Sequence, residues 1–502
     1  MAAGFQPAVL SSALGTIAPP SSLFHEDDSP HSSLTLPTVC TMLPTPIRHK
    51  PSMYYLYTIG LCLSIATLVP LFLVRGIRAN KYLHSFRQRL AMTLPCLPHD
   101  RPIIWIHAVS VGEVLAAQPL IQALLSHLSN YQIVLSTTTE TGQLIASRRL
   151  PLSGIQRFYF PLDVPYVIRR ILNTVKPTLV LIMETEIWPN FLRLCSHKNI
   201  PVLLVNGRIS ERSFRRYKLI KSFFRSVLNH FHLLLMQSQQ DAARALALGA
   251  QSQKVIITGN LKYDVFPPSE PPDLASIAKQ LQPSDHDIII AGSTVTGEEP
   301  IILEAFTQLI RKRISTNSHQ HPKKLRLILA PRHPERWAEV EHLLKASGLH
   351  YIRRSALPCP ELSPAHVILL DSMGELAFLY SLARIAFVGG SLVPAGGHNI
   401  LEPALFGKPI VVGPYMANFQ QITAAFLEAG ALIQLRHDPQ RTFAEQLLDT
   451  FESLLENEPQ SKAMGQTAKQ LIEQHRGATA KTLAHIKSLL EQRASEPTLP
   501  SC

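Results

Sequence analysis

IIWIHAVSVGEVLAAQPLIQALLSHLS, residues 103–129, decides the fold. Its first seven residues are an almost unbroken apolar run, the composition of a strand buried on both faces. From Gly112 to Ser129 the apolar positions recur at helical spacing, so a strand runs directly into a helix. The unit then repeats. IVLSTTT (133–139), LVLIME (179–184), VLLVNG (202–207), LLLMQS (233–238) and VIITGN (255–260) are strand-like, with helical stretches such as 212–229 between them. Such alternation builds a parallel sheet with helices on both faces. PPSEPPDLASIAKQLQP (267–283) marks a domain boundary. The pattern restarts with IIIAGST (288–294), LRLILAP (325–331), VILLD (367–371), IAFVGGS (385–391) and PIVVGP (409–414). The expected class is α/β: two doubly wound domains facing a cleft lined by C-terminal strand ends, where ligands of open α/β sheets bind. The closing helices, about 419–430, 443–457 and 462–492, are polar-faced and expected on the outside.

The chain has 502 residues, 46% hydrophobic and 17% charged, which excludes a disordered or collagen-like protein. At roughly 150 residues per domain, this length fits three domains or two large ones. Lys and Arg number 48 against 36 Asp and Glu, a formal charge of +12 that favours anionic partners. Most of the excess lies in two stretches. Residues 75–101 hold six basic residues and one acid; residues 207–225 hold seven and one. Cys40, Cys62, Cys96, Cys195, Cys359 and Cys502 are far apart with no CxxC pair. That excludes a disulfide-dense scaffold and a cysteine zinc site, and fits a reducing compartment. Asp285-His286-Asp287 precedes its strand, the wrong end for a ligand, so no metal or cofactor is expected.

Pro, Ser and Thr supply 21 of residues 1–52, which are expected to form a disordered extension without signal-peptide order, Met53 being an alternative start. MYYLYTIGLCLSIATLVPLFLV (53–74) follows without a charge. As a helix it reaches about 33 Å, against a hydrocarbon core of about 30 Å. Tyr54, Tyr55 and Tyr57 read as interfacial aromatics. Arg75, Arg78, Lys81, Arg87 and Arg89 then place the rest of the chain on the cytoplasmic side by the positive-inside rule. A single-pass membrane anchor is the expectation, a buried core helix the alternative.

Candidate chemistry clusters at strand ends. Ser110-Val111-Gly112-Glu113 has capping-box spacing. Alternatively, Glu113 is a general base at the cleft, kept ionised by the helix dipole. Glu184 and Glu186, in ETEIWPN, are either loop acids or part of a shaped pocket. Arg208, Arg212, Arg215 and Arg216 open a basic run suited either to solvent or to phosphates and anionic headgroups. Nucleic acid is disfavoured, since no stacking aromatics interleave. Lys262 has only its cleft-edge place to recommend it. In the second half, Arg332 and His333 follow a strand, and Met373, Gly374 and Glu375 follow another. Residues 389–413 hold six of the 23 glycines, with Asn399, Ile400, Leu401 and Glu402 opening a helix. Clustered glycine permits close backbone approach, and free helix-start amides suit a phosphate.

HAVSVGE, TTTETG, YFPLD, ETEIWPN, NGRIS, GNLKYD, AGST with GEE, PRHPER, DSMGEL and FVGGSLVPAGGHNILEPALFGKPIVVGP, in that order, together resemble the 3-deoxy-D-manno-octulosonic acid (Kdo) transferases of lipopolysaccharide assembly. The resemblance implies a GT-B fold of two Rossmann-like domains. It implies a metal-independent, inverting transfer of Kdo from CMP-Kdo to a lipid A precursor, lipid IVA. By motif, Glu113 becomes the proton acceptor, against the capping-box reading, while Glu184 and Lys262 stabilise the transition state. Arg332, His333, Met373, Gly374, Glu375, Asn399, Ile400, Leu401 and Glu402 match the CMP site. Arg208, Arg212, Arg215 and Arg216 gain an anionic acceptor. The implied plan is an extension at 1–52, an anchor at 53–74, an acceptor domain at 75–266 and a CMP-Kdo-binding domain at 284–492. The implied partners are CMP-Kdo, the lipid A precursor and anionic lipids of a bacterial inner membrane. Another nucleotide-sugar enzyme on the same fold is the runner-up; a lipid-binding module without catalysis comes third.

Overall fold

The computed structural model describes residues 51–77, 83–98, 100–149, 155–265, 272–281, 285–315, 323–358 and 366–495. These form two seven-stranded parallel sheets. The first contains β1 (Ile103–His107), β2 (Gln132–Thr137), β3 (Gln156–Tyr159), β4 (Pro177–Met183), β5 (Val202–Gly207), β6 (Leu233–Met236) and β7 (Val255–Ile257), in the order β3-β2-β1-β4-β5-β6-β7. The second contains β8 (His286–Thr294), β9 (Lys324–Pro331), β10 (Tyr351–Arg353), β11 (Val367–Leu369), β12 (Ile385–Val388), β13 (Ile410–Val412) and β14 (Ile433–Gln434), in the order β10-β11-β9-β8-β12-β13-β14. Every residue of β1, β2 and β5 is buried, as expected for strands covered on both faces.

Each sheet reverses its winding once. The chain leaves β1 toward β2 on one side, and β4 returns on the other; β8 stands between β9 and β12 in the same way. Loops that leave a sheet in opposite directions open a crevice at the strands' C-terminal ends. Glu113 follows β1 and Glu184 follows β4, so the first crevice lies between these two acids.

Three expectations change. The linker region contributes a helix, Pro272–Leu281, whose Ile277 and Leu281 join the second domain's core beside Ile288 and Ile290. The last helical stretch is not one outer helix. It breaks at Gly477 (φ 102°) into Glu458–His475 and Ala478–Ser495. The final helix crosses back and buries Leu483, Ile486, Leu489 and Leu490 in the first domain's core, with Ile104, Ile106 and Leu120. Asp264 fastens this crossing by accepting the Gly477 and Thr479 amides.

The third change concerns the proposed anchor. A helix does form at Pro51–Ile77, but among the described residues no helix is long and apolar enough to cross a membrane. Two of the tyrosines read as interfacial belong to the protein. Tyr54, 2% exposed, packs edge-on against Phe223 and meets His230 Nε2 at 3.0 Å. The Tyr57 hydroxyl donates to Asp163 Oδ2 at 3.0 Å. Their apolar rings and polar tips find better partners in a folded domain than a sequence window can show. Tyr55 stays exposed, with Leu56, Ile59 and Leu63.

Candidate functional site

Glu113 sits in the first turn of the Val111–His127 helix, 8% exposed. Its spacing predicts a capping box, but the bonds differ. Ser110 makes no side-chain cap; its hydroxyl donates to Glu113 Oε1 at 3.3 Å, while the Val109 amide donates to Oε2 at 2.8 Å. The carboxyl is thus aimed at the β1 strand end. Burial pushes its pKa up from 4.5 to about 8, against the Val109 amide, and the nearby Glu184 and Glu186 carboxylates push the same way. Desolvation thus shifts the carboxyl in the direction opposite to the lowering expected from the helix dipole. A proton acceptor poised near neutrality is suited to general-base work.

Beneath this loop His107 is fully buried, stacked on Phe160 at 3.8 Å with Nδ1 against Ser136 Oγ at 3.0 Å. Burial lowers its pKa to about 3, so the ring is neutral and serves as a rigid floor.

Glu184 closes β4 in a left-handed backbone, φ 54°. A non-glycine residue tolerates that region only where its surroundings impose it. Here the Glu184 amide donates to the Val205 carbonyl at 2.9 Å, and its carbonyl accepts from the Arg208 amide at 3.2 Å. Its Oε1 lies 3.0 Å from Lys262 Nζ. Lys262 itself rides a single tight turn, Leu261–Tyr263, capped by the Asn260 side chain at the Lys262 amide, 3.0 Å. The lysine that sequence could hardly separate from a surface residue is thus half-buried and paired. It also approaches the Phe419 ring of the second domain at 5.9 Å. Structure brings Glu113, Glu184 and Lys262 to one edge, as the motifs imply.

A cavity of about 440 Å³ adjoins them, lined by Glu184, Glu186, Trp188, Arg208, Ser213 and Tyr217, among others. Burial raises the Glu186 pKa. Of the four arginines expected to hold an acceptor, Arg208 lines the cavity. Arg212, Arg215 and Arg216 lie on the exposed face of the Glu211–Leu219 helix, and Arg215 pairs with Glu211 at 3.1 Å. A helix can turn only one face inward, and Ser213 and Tyr217 hold it.

The donor-side residues all follow C-terminal strand ends of the second sheet. Parallel pairing sets Thr294 beside Pro331 and Val388 beside Gly292, so the loops carrying Arg332, His333 and Gly389–Glu402 are neighbours. Within these loops the His398 pKa is lowered to about 4, chiefly by burial and further by the Arg332 and His333 charges nearby. Asn399 accepts the Leu401 amide at 3.1 Å and faces Glu402 Oε1 at 3.3 Å. Ile400 and Leu401 are core residues that set the turn. Met373 is exposed, and Gly374 has φ 93°. The Glu375 carboxylate is taken by Arg354 at 2.8 and 2.9 Å and by Ser372 at 2.8 Å, so it shapes its loop.

Three amides at the start of the glycine loop, ahead of the helix start expected to meet a phosphate, are already taken. Glu298, fully buried, accepts from Gly390 (2.7 Å), Ser391 (2.9 Å) and Leu392 (2.8 Å), and from Val295 (3.0 Å). An internal carboxylate fills this nest, so a bound donor must meet other groups. Sequence reasoning gave Glu298 no role although it quoted the GEE motif, because its partners lie over 90 residues away. Asp163 was missed in the same way. It accepts the Asn190 and Phe191 amides at 3.0 and 2.7 Å and so seats the start of the helix after ETEIW.

Residues 84–265 match the family model described as 3-deoxy-D-manno-octulosonic-acid transferase (kdotransferase). The transferase of that name from Haemophilus influenzae is 36% identical over 81% of this chain and 92% of its own length. The chain belongs to the Kdo transferase family. The Bordetella pertussis relative is 35% identical over 77% of this chain and 87% of its own. A putative UDP-N-acetylglucosamine 2-epimerase from Listeria monocytogenes, 15% identical, covers 78% of this chain and 97% of its own with a TM-score of 0.51, a likeness of fold alone. This Kdo transferase is therefore a glycosyltransferase of lipopolysaccharide biosynthesis, built on two parallel α/β domains.

Proposed function

We propose that this Kdo transferase moves Kdo from CMP-Kdo to a hydroxyl of a lipid A precursor, lipid IVA, with inversion. The observation that carries the reading is Glu113: a nearly buried carboxyl, its pKa near 8, at the crevice beside Glu184 and Lys262. The acceptor oxygen attacks the anomeric carbon of Kdo as Glu113 takes its proton. The bond from that carbon to the phosphate oxygen breaks, and CMP leaves with the electron pair. One base and attack from the opposite face invert the centre. Lys262, oriented by Glu184, offsets charge as it develops. Arg332 and the Asn399–Glu402 turn supply polar groups for CMP, and Arg208 in the cavity suits an anionic acceptor.

The acceptor's lipid nature goes with a membrane-facing surface. Leu219, 84% exposed, and Ile220 project among Arg215, Arg216, Lys218 and Lys221, a composition suited to an anionic bilayer. Tyr55, Leu56, Ile59 and Leu63 extend it from the first helix. Near its start that helix is tied to the first domain by Tyr57 and Asp163, which keeps its exposed apolar residues beside the basic helix. On this reading the surface lies against the cytoplasmic face of a bacterial inner membrane, in keeping with its positive charge.

The test is incubation with CMP-Kdo generated in situ and a tetraacyl lipid A precursor. A mass gain of one or more Kdo units on the lipid is expected; none sinks the reading. Leu219→Asp with Ile220→Asp should lower flotation with phosphatidylglycerol vesicles, and undiminished flotation removes the surface from the account.

A further inference from the structure

Resting on that functional reading, we propose that Asn206 is the positioning residue that sets the Glu184–Lys262 pair. Asn206 occupies the penultimate place in β5 and is fully buried. Its backbone is left-handed, φ 56°, and the pairing of β5 with β6 shifts register between Leu204 and Gly207. Alternation of side chains ends there, and the amide group is freed from the sheet's regular pattern.

Each polar atom of Asn206 has a separate task. Oδ1 accepts the Leu261 amide at 2.9 Å, one residue before Lys262. Nδ2 faces Glu184 Oε1 at 3.5 Å, the same oxygen that meets Lys262 Nζ. The backbone carbonyl accepts from Gln237 Nε2 at 2.9 Å, which holds the left-handed turn to β6. One side chain thus refers both members of the ion pair to a common point, although Glu184 and Lys262 arise 78 residues apart.

Asparagine meets these demands together. It enters the left-handed region at less cost than most residues, and its short amide carries one acceptor and two donor hydrogens. Aspartate keeps the acceptor but puts a carboxylate where the donor stood. Glycine keeps the backbone and loses both contacts.

Asn206→Gly should lower kcat by roughly 10- to 100-fold, the scale of a small misplacement of reacting groups, while KM for CMP-Kdo changes by less than about 2-fold. In a Glu184→Gln background, residual transfer followed by mass spectrometry should lose clearly less to Asn206→Gly than the Glu184 protein does, only the tie to the Lys262 turn being left to lose. A residue that only braces the fold would carry its full cost into both backgrounds, and that result overturns the role. Asn206→Asp serves as the second variant. Its kcat deficit should deepen as pH rises and the new carboxyl ionises against Glu184. A wild-type-like kcat across the range, or a deficit independent of pH, also overturns it. Failure of the unaltered protein to transfer Kdo sinks the functional reading and this role with it. Transfer by the unaltered protein with an undiminished glycine variant sinks the role of Asn206 alone.

Discussion

Replacing Glu113 with glutamine removes a titration without removing a shape. In the native protein the carboxyl titrates near 8, raised by burial from an ordinary 4.5. A carboxyl whose native value lies above its unfolded value binds more protons when folded. Its contribution to stability is therefore fully present below about 4.5 and is lost as pH rises through about 8. The interval is about 3.5 units at about 1.4 kcal/mol each, which sets a ceiling of about 5 kcal/mol. Urea unfolding at pH 5, 7 and 9 should show the wild type losing stability relative to Glu113→Gln across that range. The same titration governs catalysis in the opposite sense, because the base must be unprotonated. At fixed substrate chemistry, kcat/KM should rise close to tenfold per unit between pH 6 and 7 and level off above about 8. Glu113→Gln should abolish transfer while still binding CMP. A stability difference flat from pH 5 to 9, with an acidic limb below pH 5.5, would show a carboxyl of ordinary acidity and refute the reasoning from burial.

Glu298→Ala should strand the buried amides of Gly390, Ser391 and Leu392 and destabilise the protein by about 3 kcal/mol or more, read by chemical denaturation. Weakened CMP binding should accompany it, seen by calorimetry, since the glycine loop loses its brace. Asp264→Ala removes the acceptor of the Gly477 and Thr479 amides that fasten the final helix. A loss of about 3 kcal/mol is expected, with earlier hydrogen exchange in residues 478–495. Gly413→Ala would drive a Cβ into the Ser391 carbonyl oxygen, a backbone clash that should lower stability by about 2 kcal/mol or more in a calorimetric scan.

The strands were legible because parallel sheets buried on both faces leave continuous apolar runs, and IIWIH and VLLVNG lie where those runs stand. The site's edge was legible for a related reason. Ligands gather at C-terminal strand ends, and Glu113, Glu184, Arg332 and Met373 all follow one. Less visible were the side chains whose partners are remote. Tyr57 lies 106 residues from Asp163, so its hydrogen bond leaves no local periodicity, and the apolar run around it looks like a membrane span. The final helix misled in the same way, since the cover it needs belongs to the other domain.

Local sequence by itself determined the α/β class, the two-domain division and the strand ends from which chemistry is mounted. Those properties follow from the chain's own periodicity and its turn residues. Tertiary structure alone decided what each polar group does. Glu113 is a buried acid with a raised pKa in place of a capping carboxylate. Glu298 fills a nest of amides in the glycine-rich loop from more than 90 residues away. Lys262 becomes Glu184's partner only when β4 and the crossing after β7 are brought together. The physical reason is shared: desolvation and hydrogen-bond pairing depend on which groups meet in space, and those groups lie tens to hundreds of residues apart along the chain.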